Sequence, residues 1–378
     1  MPRNRTITQC EALYAGPSPA TGAHFHSGSA SQYSGYSGTN TGNNLVKQLY
    51  RVQSANYGFN IPRRDVNQFG ELASIERLIL DPPTVSLTFD YLVNGLYNER
   101  ILGFTISTGT NVSCISGILN KTQDERNYFI KTVSEGNDAN GDTSANSKII
   151  AIGNGFISNY TASASVGDFP RASVTVEGLN MNFDIDPFAP GQTSGTMNIP
   201  AVNPSNGTPI TAWQYQLPKG QSSTGEFISA LRPGDITFSM GYAEGGVNLT
   251  DAKIQSYSIG FDLTRENLLK LGSKFAFAKE LAFPLSTTLS ITADVGDLDT
   301  GKLTEMLNNN NSFTTTVSIA HPSDSTKKIV TYTLASGNLD SQSFSSSIGS
   351  NKSVTLTFQT PIGGPQQLGK GVFLSGWN

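Results

Sequence analysis

Polar and apolar positions alternate with a period of two over many short stretches of this chain. Tyr257, Ile259 and Phe261 alternate with Ser256, Ser258 and Gly260. Leu289 and Ile291 alternate with Thr288, Ser290 and Thr292, and Val85, Leu87 and Phe89 alternate with Ser86, Thr88 and Asp90. The later runs VTVEGLNMNFDI and VTLTFQT do the same. Successive side chains of a strand point to opposite faces, so each run predicts a strand with one buried and one polar face. A helical pattern is expected over RENLLKLG: Thr264 can cap it, Glu266 sits in its first turn, Leu268, Leu269 and Leu271 would face the core, and Gly272 ends it. Pro62, Asp65 and Gly70 predict the same short helix earlier in the chain, since the first-turn amide that proline lacks has no helical partner. KLTEML after Thr300 predicts another. Pro82 and Pro284 each open the next strand.

These elements recur in order. VQSANYGFNI (52–61) returns as IQSYSIGFDL (254–263), an offset of 202 that persists without a gap. Gln53, Ser54, Gly58, Phe59, Arg63, Gly70 and Pro82 match Gln255, Ser256, Gly260, Phe261, Arg265, Gly272 and Pro284, and Leu87 and Val93 match Leu289 and Val295. With gaps, ITQCEALYAG (7–16) resembles ITFSMGYAEG (236–245), and SVGDFPRASVTVEG (165–178) resembles SIGSNKSVTLTF (347–358). The chain therefore divides into a first copy (1–189), a Pro/Gly/Ser-rich linker or loop (190–230) and a second copy (231–378). A further Gly/Ser-rich loop, 16–43, occurs only in the first copy. The expected fold class is mainly β: two tandem β-sandwich or partial-barrel domains, each with a short flanking helix. Such strands leave sheet edges that something must pair or cover.

Composition agrees with exposed sheet. Only 14% of the 378 residues are charged, against about 25% in an average soluble domain, and Ser, Thr, Asn and Gly supply the polarity instead. The net charge of −4 argues against ordinary nucleic-acid binding, which needs a basic patch. It is compatible with a channel through which nucleic acid slides without sticking. MPRNRTITQC has no apolar signal-peptide core, and no run of about 18 apolar residues occurs, so no membrane span is expected. The chain is expected to stay in the cytoplasm until assembly or lysis.

Chemical signals are weak. Gly296–Lys302 and Gly364–Lys370 approach a phosphate-binding loop, but Leu303 and Gly371 stand where Ser or Thr must hold magnesium. His24 and His26 lack a third ligand, and His321 is alone. Asp294, Asp297 and Asp299 read as a solvated turn. Cys10 and Cys114 have no metal spacing, and a disulfide between them stays open. The sequons at Asn120 and Asn159 are expected by chance. No catalytic constellation, cofactor site or metal site is expected.

At IQSYSIGFDLTRENLLKLG…FPLSTTLSITADV and FISNYTASASVGDFPRASVTVEG the sequence resembles the tail tube (major tail) proteins of tailed phages, of the type with a duplicated tube domain. The resemblance covers both halves. It implies a β-sandwich with a flanking helix and a long hairpin, in sixfold rings whose inner strands line a continuous β-barrel that conducts DNA. Duplication implies homotrimeric, pseudo-hexameric rings. The implied role is structural and non-enzymatic, in the virion tail, after assembly in the bacterial host cytoplasm. The implied partners are further copies of the chain, the tape-measure, terminator and baseplate proteins, a sheath where the tail contracts, and viral DNA passing without specific binding. Inward cations would stall DNA, so Asp90, Thr292 in the matching strand, and Glu177 are the candidate lumen residues. Loops 16–43 and 190–230 are expected to join rings. A related fold serves contractile injection machines and secretion tubes. Two other readings stand beside this one. A decoration, baseplate or adhesion component predicts discrete oligomers and glycan binding through Tyr33, Tyr36 or Trp213. A depolymerase needs paired acids on a parallel β-helix, for which the repeat is far too long.

Overall fold

The computed structural model describes residues 10–17, 46–107, 112–121, 124–135, 137–139, 147–185, 197–198, 200–203, 207–208, 214–215, 217, 230–240, 253–272, 275–294, 312–348 and 351–376. The strands of the first half are β1 (Glu11–Pro17), β2 (Lys47–Gln48), β3 (Val52–Asn60), β4 (Arg63–Val66), β5 (Glu76–Ile79), β6 (Thr84–Leu92), β7 (Glu125–Thr132), β8 (Lys148–Ser165), β9 (Arg171–Gly178) and β10 (Asn180–Ile185). Two short helices, α1 (Tyr97–Ile101) and α2 (Ser116–Leu119), lie between β6 and β7. A small ladder of β11 (Met197–Asn198) and β12 (Gln214–Tyr215) follows. The second half contains β13 (Ile236–Met240), β14 (Lys253–Asp262), β15 (Arg265–Leu268), β16 (Ala278–Leu281), β17 (Leu285–Asp294), β18 (Phe313–His321), β19 (Asp324–Ser345), β20 (Ser353–Ile362) and β21 (Gly371–Ser375).

The molecule is mainly β, built on one large antiparallel sheet that stays open. Alternation sets the faces. In β6, Val85, Leu87, Phe89 and Tyr91 are buried, while the residues between them lie on the opposite, polar face. In each half the sheet folds back on itself to enclose a core. The strand that turns the corner is long: β8 pairs with β7 and β10 through its first part and with β9 and β14 through its last. Likewise β19 pairs with β18 and β21, then with β20. Leu13, Tyr128 and Ile152 of the outer layer thus meet Leu87, Phe89, Val174 and Val176 of the inner one. A second apolar cluster covers the far side of the first outer layer, where Tyr14, Phe129 and Ile149 lie under Ala201 and Leu217. The described part of 190–230 therefore lies partly on the first half. Val202 exchanges two hydrogen bonds with the Asn154 side chain (2.8 and 3.2 Å).

The pairing pattern occurs twice. The order β3–β6–β9–β8 in the first half is repeated as β14–β17–β20–β19 in the second. Even irregularities recur: β8 skips Ser158 against β9, and β19 skips Asp340 against β20.

The short helices expected at Pro62–Gly70 and over 265–272 are instead antiparallel hairpins, β4–β5 and β15–β16. A positive-φ glycine serves a helix end and a tight turn alike, and Gly70 (φ 95°) and Gly272 (φ 81°) serve turns between the paired strands. An eight-residue helix is marginal without a surface to bury its stripe. None is offered here: Leu271 is fully exposed and Leu269 largely so. The two α-helices among the described residues lie in the first half, away from these positions. The segment KLTEML lies outside the described residues.

Leu87 and Leu289 are equivalent and fully buried. Leu87→Ala and Leu289→Ala should each cost about 2–5 kcal/mol in urea unfolding. Leu271→Ala, on an exposed tip, should change stability by less than about 0.5 kcal/mol.

Candidate assembly interface

The two four-stranded units meet where β8 pairs with β14, Ser165 opposite Ser256 through Asn159 opposite Asp262. Backbone bonds extend this seam at both ends, Val166 N–H to Gln255 C=O (2.9 Å) and Leu263 N–H to Ser158 C=O (2.7 Å). The result is a run of eight strands, β3–β6–β9–β8–β14–β17–β20–β19. Gly260 is needed at the seam because a Cβ there would meet Thr161 Oγ1 at 2.9 Å and the Tyr160 carbonyl at 3.2 Å. Beside it Phe261 stacks on Tyr160 (5.3 Å, 19°), and Phe104 packs edge-on against both rings.

A buried acid lies under this aromatic group. Glu99 Oε1 accepts hydrogen bonds from Tyr91 OH (2.8 Å) and Tyr160 OH (3.3 Å), and Tyr160 OH lies 3.2 Å from Tyr332 OH of the second half. Burial pushes the Glu99 carboxyl up to about 7, with the Tyr91 hydroxyl partly opposing it. No hydrogen bond reaches Oε2.

Ion pairs bind the β15–β16 hairpin to the first half. The Arg265 guanidinium grips Asp124 with both terminal nitrogens (3.0 and 2.5 Å) and lies over the Phe156 ring at 4.9 Å. Burial still holds the Asp124 carboxyl above its ordinary value. Lys279 reaches Glu177 at 3.0 Å, and Lys121 reaches Glu280 at 2.5 Å.

The face of the eight strands turned away from the core is polar and is lined by Ser, Thr, Asn and Asp. It is hollowed along the seam into a trough of about 390 Å³ lined by Asn159, Thr161, Ser258, Asp262, Thr288 and Ser290. All three lumen candidates lie on this face. Asp90 accepts a hydrogen bond from Ser54 (2.8 Å), Thr292 Oγ1 lies 3.2 Å from Thr355 Oγ1, and the carboxylate of Glu177 is held by Lys279. The strands of this face carry Asp90, Glu177, Asp262 and Asp294 against Arg171 and Lys253, and Lys279 of β16 neutralises Glu177.

The repeat-signature residues sit in paired places with unlike surroundings. Phe261 is 5% exposed, and its equivalent Phe59 is 56% exposed. The space above Gly260 is filled by β8; above Gly58 it is open. Arg265 is buried while Arg63 is exposed. Gln53 and Gln255 each donate to the carbonyl two residues back, at 3.0 and 3.3 Å. The difference is position: β14 has a neighbour on each side, whereas β3 pairs only with β6 among the described strands.

No group of three or more metal-binding side chains occurs among the described residues, and Cys10 and Cys114 are free, buried and in separate clusters. His321 Nδ1 accepts from the Ser323 amide (3.0 Å). Gly364–Lys370 forms turns leading into β21 rather than a helix. His24, His26, Tyr33, Tyr36, Trp213 and Gly296–Lys302 lie outside the described residues. No described helix is long and apolar enough to cross a membrane. Among known proteins, no family model matches this chain, and no curated sequence matches it significantly.

Arg265→Ala leaves the Asp124 carboxylate buried and alone, and should cost about 3–5 kcal/mol in urea unfolding. Arg63→Ala should cost less than about 0.5 kcal/mol in the isolated chain. Glu99 holds its proton longer in the folded than in the unfolded chain. The unfolded chain therefore binds fewer protons between pH 4.5 and about 7, and stability falls as pH rises through that window. The loss should be on the order of 3 kcal/mol, and Glu99→Gln should flatten the slope in a pH series of unfolding midpoints.

Proposed function

We propose that this protein is the tube-forming subunit of a phage tail. Three chains join edge to edge into a pseudo-sixfold ring, and rings stack into a hollow conduit for viral DNA. The observation that carries this reading is the inequality of the two seam positions. The chain already joins its two four-stranded units side by side through β8 and β14, and it repeats the same two edges on β19 and β3, which no further described strand fills.

Carrying the internal register to a neighbouring copy places Gln342 opposite Phe59, Ser343 opposite Gly58 and Phe344 opposite Tyr57. Phe59 and Phe344, 56% and 47% exposed in the single chain, then enter the seam. Gln342 Nε2, buried without a hydrogen bond, also lies there. The contact is heterologous, so it generates a ring when the rotation closes. Two domains per chain and three chains give six positions.

The polar face supports the conduit role. Its hydroxyls and amides and its small excess of carboxylates offer few fixed cations to DNA phosphates, whose neutralisation is the main source of nonspecific affinity. Exposed apolar side chains gather at both ends of the strands: Phe69, Leu72 and Leu271 on the hairpins, and Val166, Phe169 and Ile348 on the opposite turns. Apolar ends favour stacking of one ring on the next.

Negative-stain electron microscopy of the purified, untagged chain tests the reading. Hollow rings or rods with threefold or pseudo-sixfold end views are expected. Solid or closed oligomers of fixed size would reject the tube and favour a decoration or baseplate component. Phe59→Asp should leave the chain's own stability within about 0.5 kcal/mol and abolish the rings.

A further inference from the structure

The internal seam and its repeat on the outer edges differ in charge. Resting on the ring reading above, we infer that the seam between chains is an unclamped copy of the seam within the chain. Its partner is a second copy of this chain, and Arg77 and Gln359 are the positions that set its strength.

Within the chain the hairpin of the second half is fastened to the first half by Lys279–Glu177, Arg265–Asp124 and Lys121–Glu280. The Lys279 side chain is only 6% exposed while its Glu177 partner is 46% exposed, so salt screens this pair in part. Register carries each described participant to its counterpart. Arg63 and Arg77 stand in β4–β5 where Arg265 and Lys279 stand in β15–β16. Glu177 faces Ser86, and Gln359 faces Thr288, at the same place in the two units. The same correspondence turns Phe156 into Asn338, Asn159 into Ser341 and Asp262 into Asn60.

At the seam between chains, Arg77 of one copy therefore meets Gln359 of the next, Arg63 meets Asn338, and Asn60 meets Ser341. The backbone ladder and the burial of the Phe59 ring are retained, and the counterparts of Glu177 and Asp262, Gln359 and Asn60, carry no charge. The first-half hairpin instead neutralises itself. Arg77 pairs with Asp65 at 2.7 Å, where the second half has Asn267, and Arg64 pairs with Asp81 at 3.3 Å. A ring built this way parts between chains and never between the halves of one chain.

The test is Gln359→Glu in the full chain. Gln359 is exposed and its one hydrogen bond goes to the Ser286 hydroxyl (2.9 Å), which can donate to a carboxylate instead. At low salt the concentration at which rings dissociate, followed by sedimentation velocity, should fall by on the order of two- to fivefold per seam. The gain should vanish in the double variant Gln359→Glu/Arg77→Ala and in 1 M salt. Rings that form but show no gain, or a gain that survives Arg77→Ala, would overturn this inference and leave the tube reading standing. A wild-type chain that makes no ring at any concentration would overturn both.

Discussion

A β-sheet ends in a row of backbone amides and carbonyls that water must solvate or another strand must satisfy. Much of this molecule follows from how that requirement is met. One edge of each four-stranded unit is closed inside the chain, by β8 against β14, and the geometry of that closure dictates the local sequence. Gly260 is small because β8 approaches its backbone. Phe261 is aromatic because it stacks on Tyr160. The bulge at Ser158 lets β8 serve the outer layer first and the seam afterwards. The same residue types appear at Gly58 and Phe59, and the same bulge at Asp340, where no described strand of the chain arrives. On the ring reading proposed above, these are residues suited to sit under a neighbour that a second copy supplies.

The low charge of the chain has a related origin. In the conduit proposed above, a sheet with one face on a core and the other towards the lumen needs side chains that stay hydrated without attracting polyanions. Serine and threonine suit both the pleat and that surface. The few charges are placed where structure requires them, chiefly at the hairpin that fastens the second half to the first. There a buried guanidinium–carboxylate pair is stable only because both partners are present and well oriented.

Much of the architecture was legible in the sequence because its periodicities are local. The alternation in β6, β14 and β17 is visible residue by residue. The repeat is visible because seam residues are held by backbone approach and stacking, which tolerate little substitution. The hairpins were not legible. Leucines beside Thr264 and Gly272 carry a helical pattern, and only the absence of a surface to receive that stripe decides against it. The Glu99–Tyr91–Tyr160–Tyr332 cluster was also invisible, since Tyr160 and Tyr332 come from strands distant in sequence from the neighbouring Tyr91 and Glu99. The pairing of Arg265 with Asp124 was half visible: the identity of Arg63 and Arg265 marked the position, but nothing local named the acid.

Fusion of two domains in one chain removes the constraint that both seams be alike. When every seam joins identical copies, a change that strengthens one strengthens all, and a ring too firmly bonded at each step is trapped in wrongly closed assemblies. With two kinds of seam the internal one can accumulate buried charge pairs, an aromatic stack and a shared acid, because it forms once, during folding, at the high effective concentration of a single chain. In the proposed ring, the outer one can remain a reversible ladder of backbone bonds and apolar contacts. The divergence of Tyr160 from Gln342, Glu177 from Gln359 and Phe156 from Asn338, beside the retention of Phe59 with Phe261 and Gly58 with Gly260, fits that division: in the proposed ring, backbone approach and burial are kept at both seams, and the Lys279–Glu177 pairing of charge across the seam only where separation is never required.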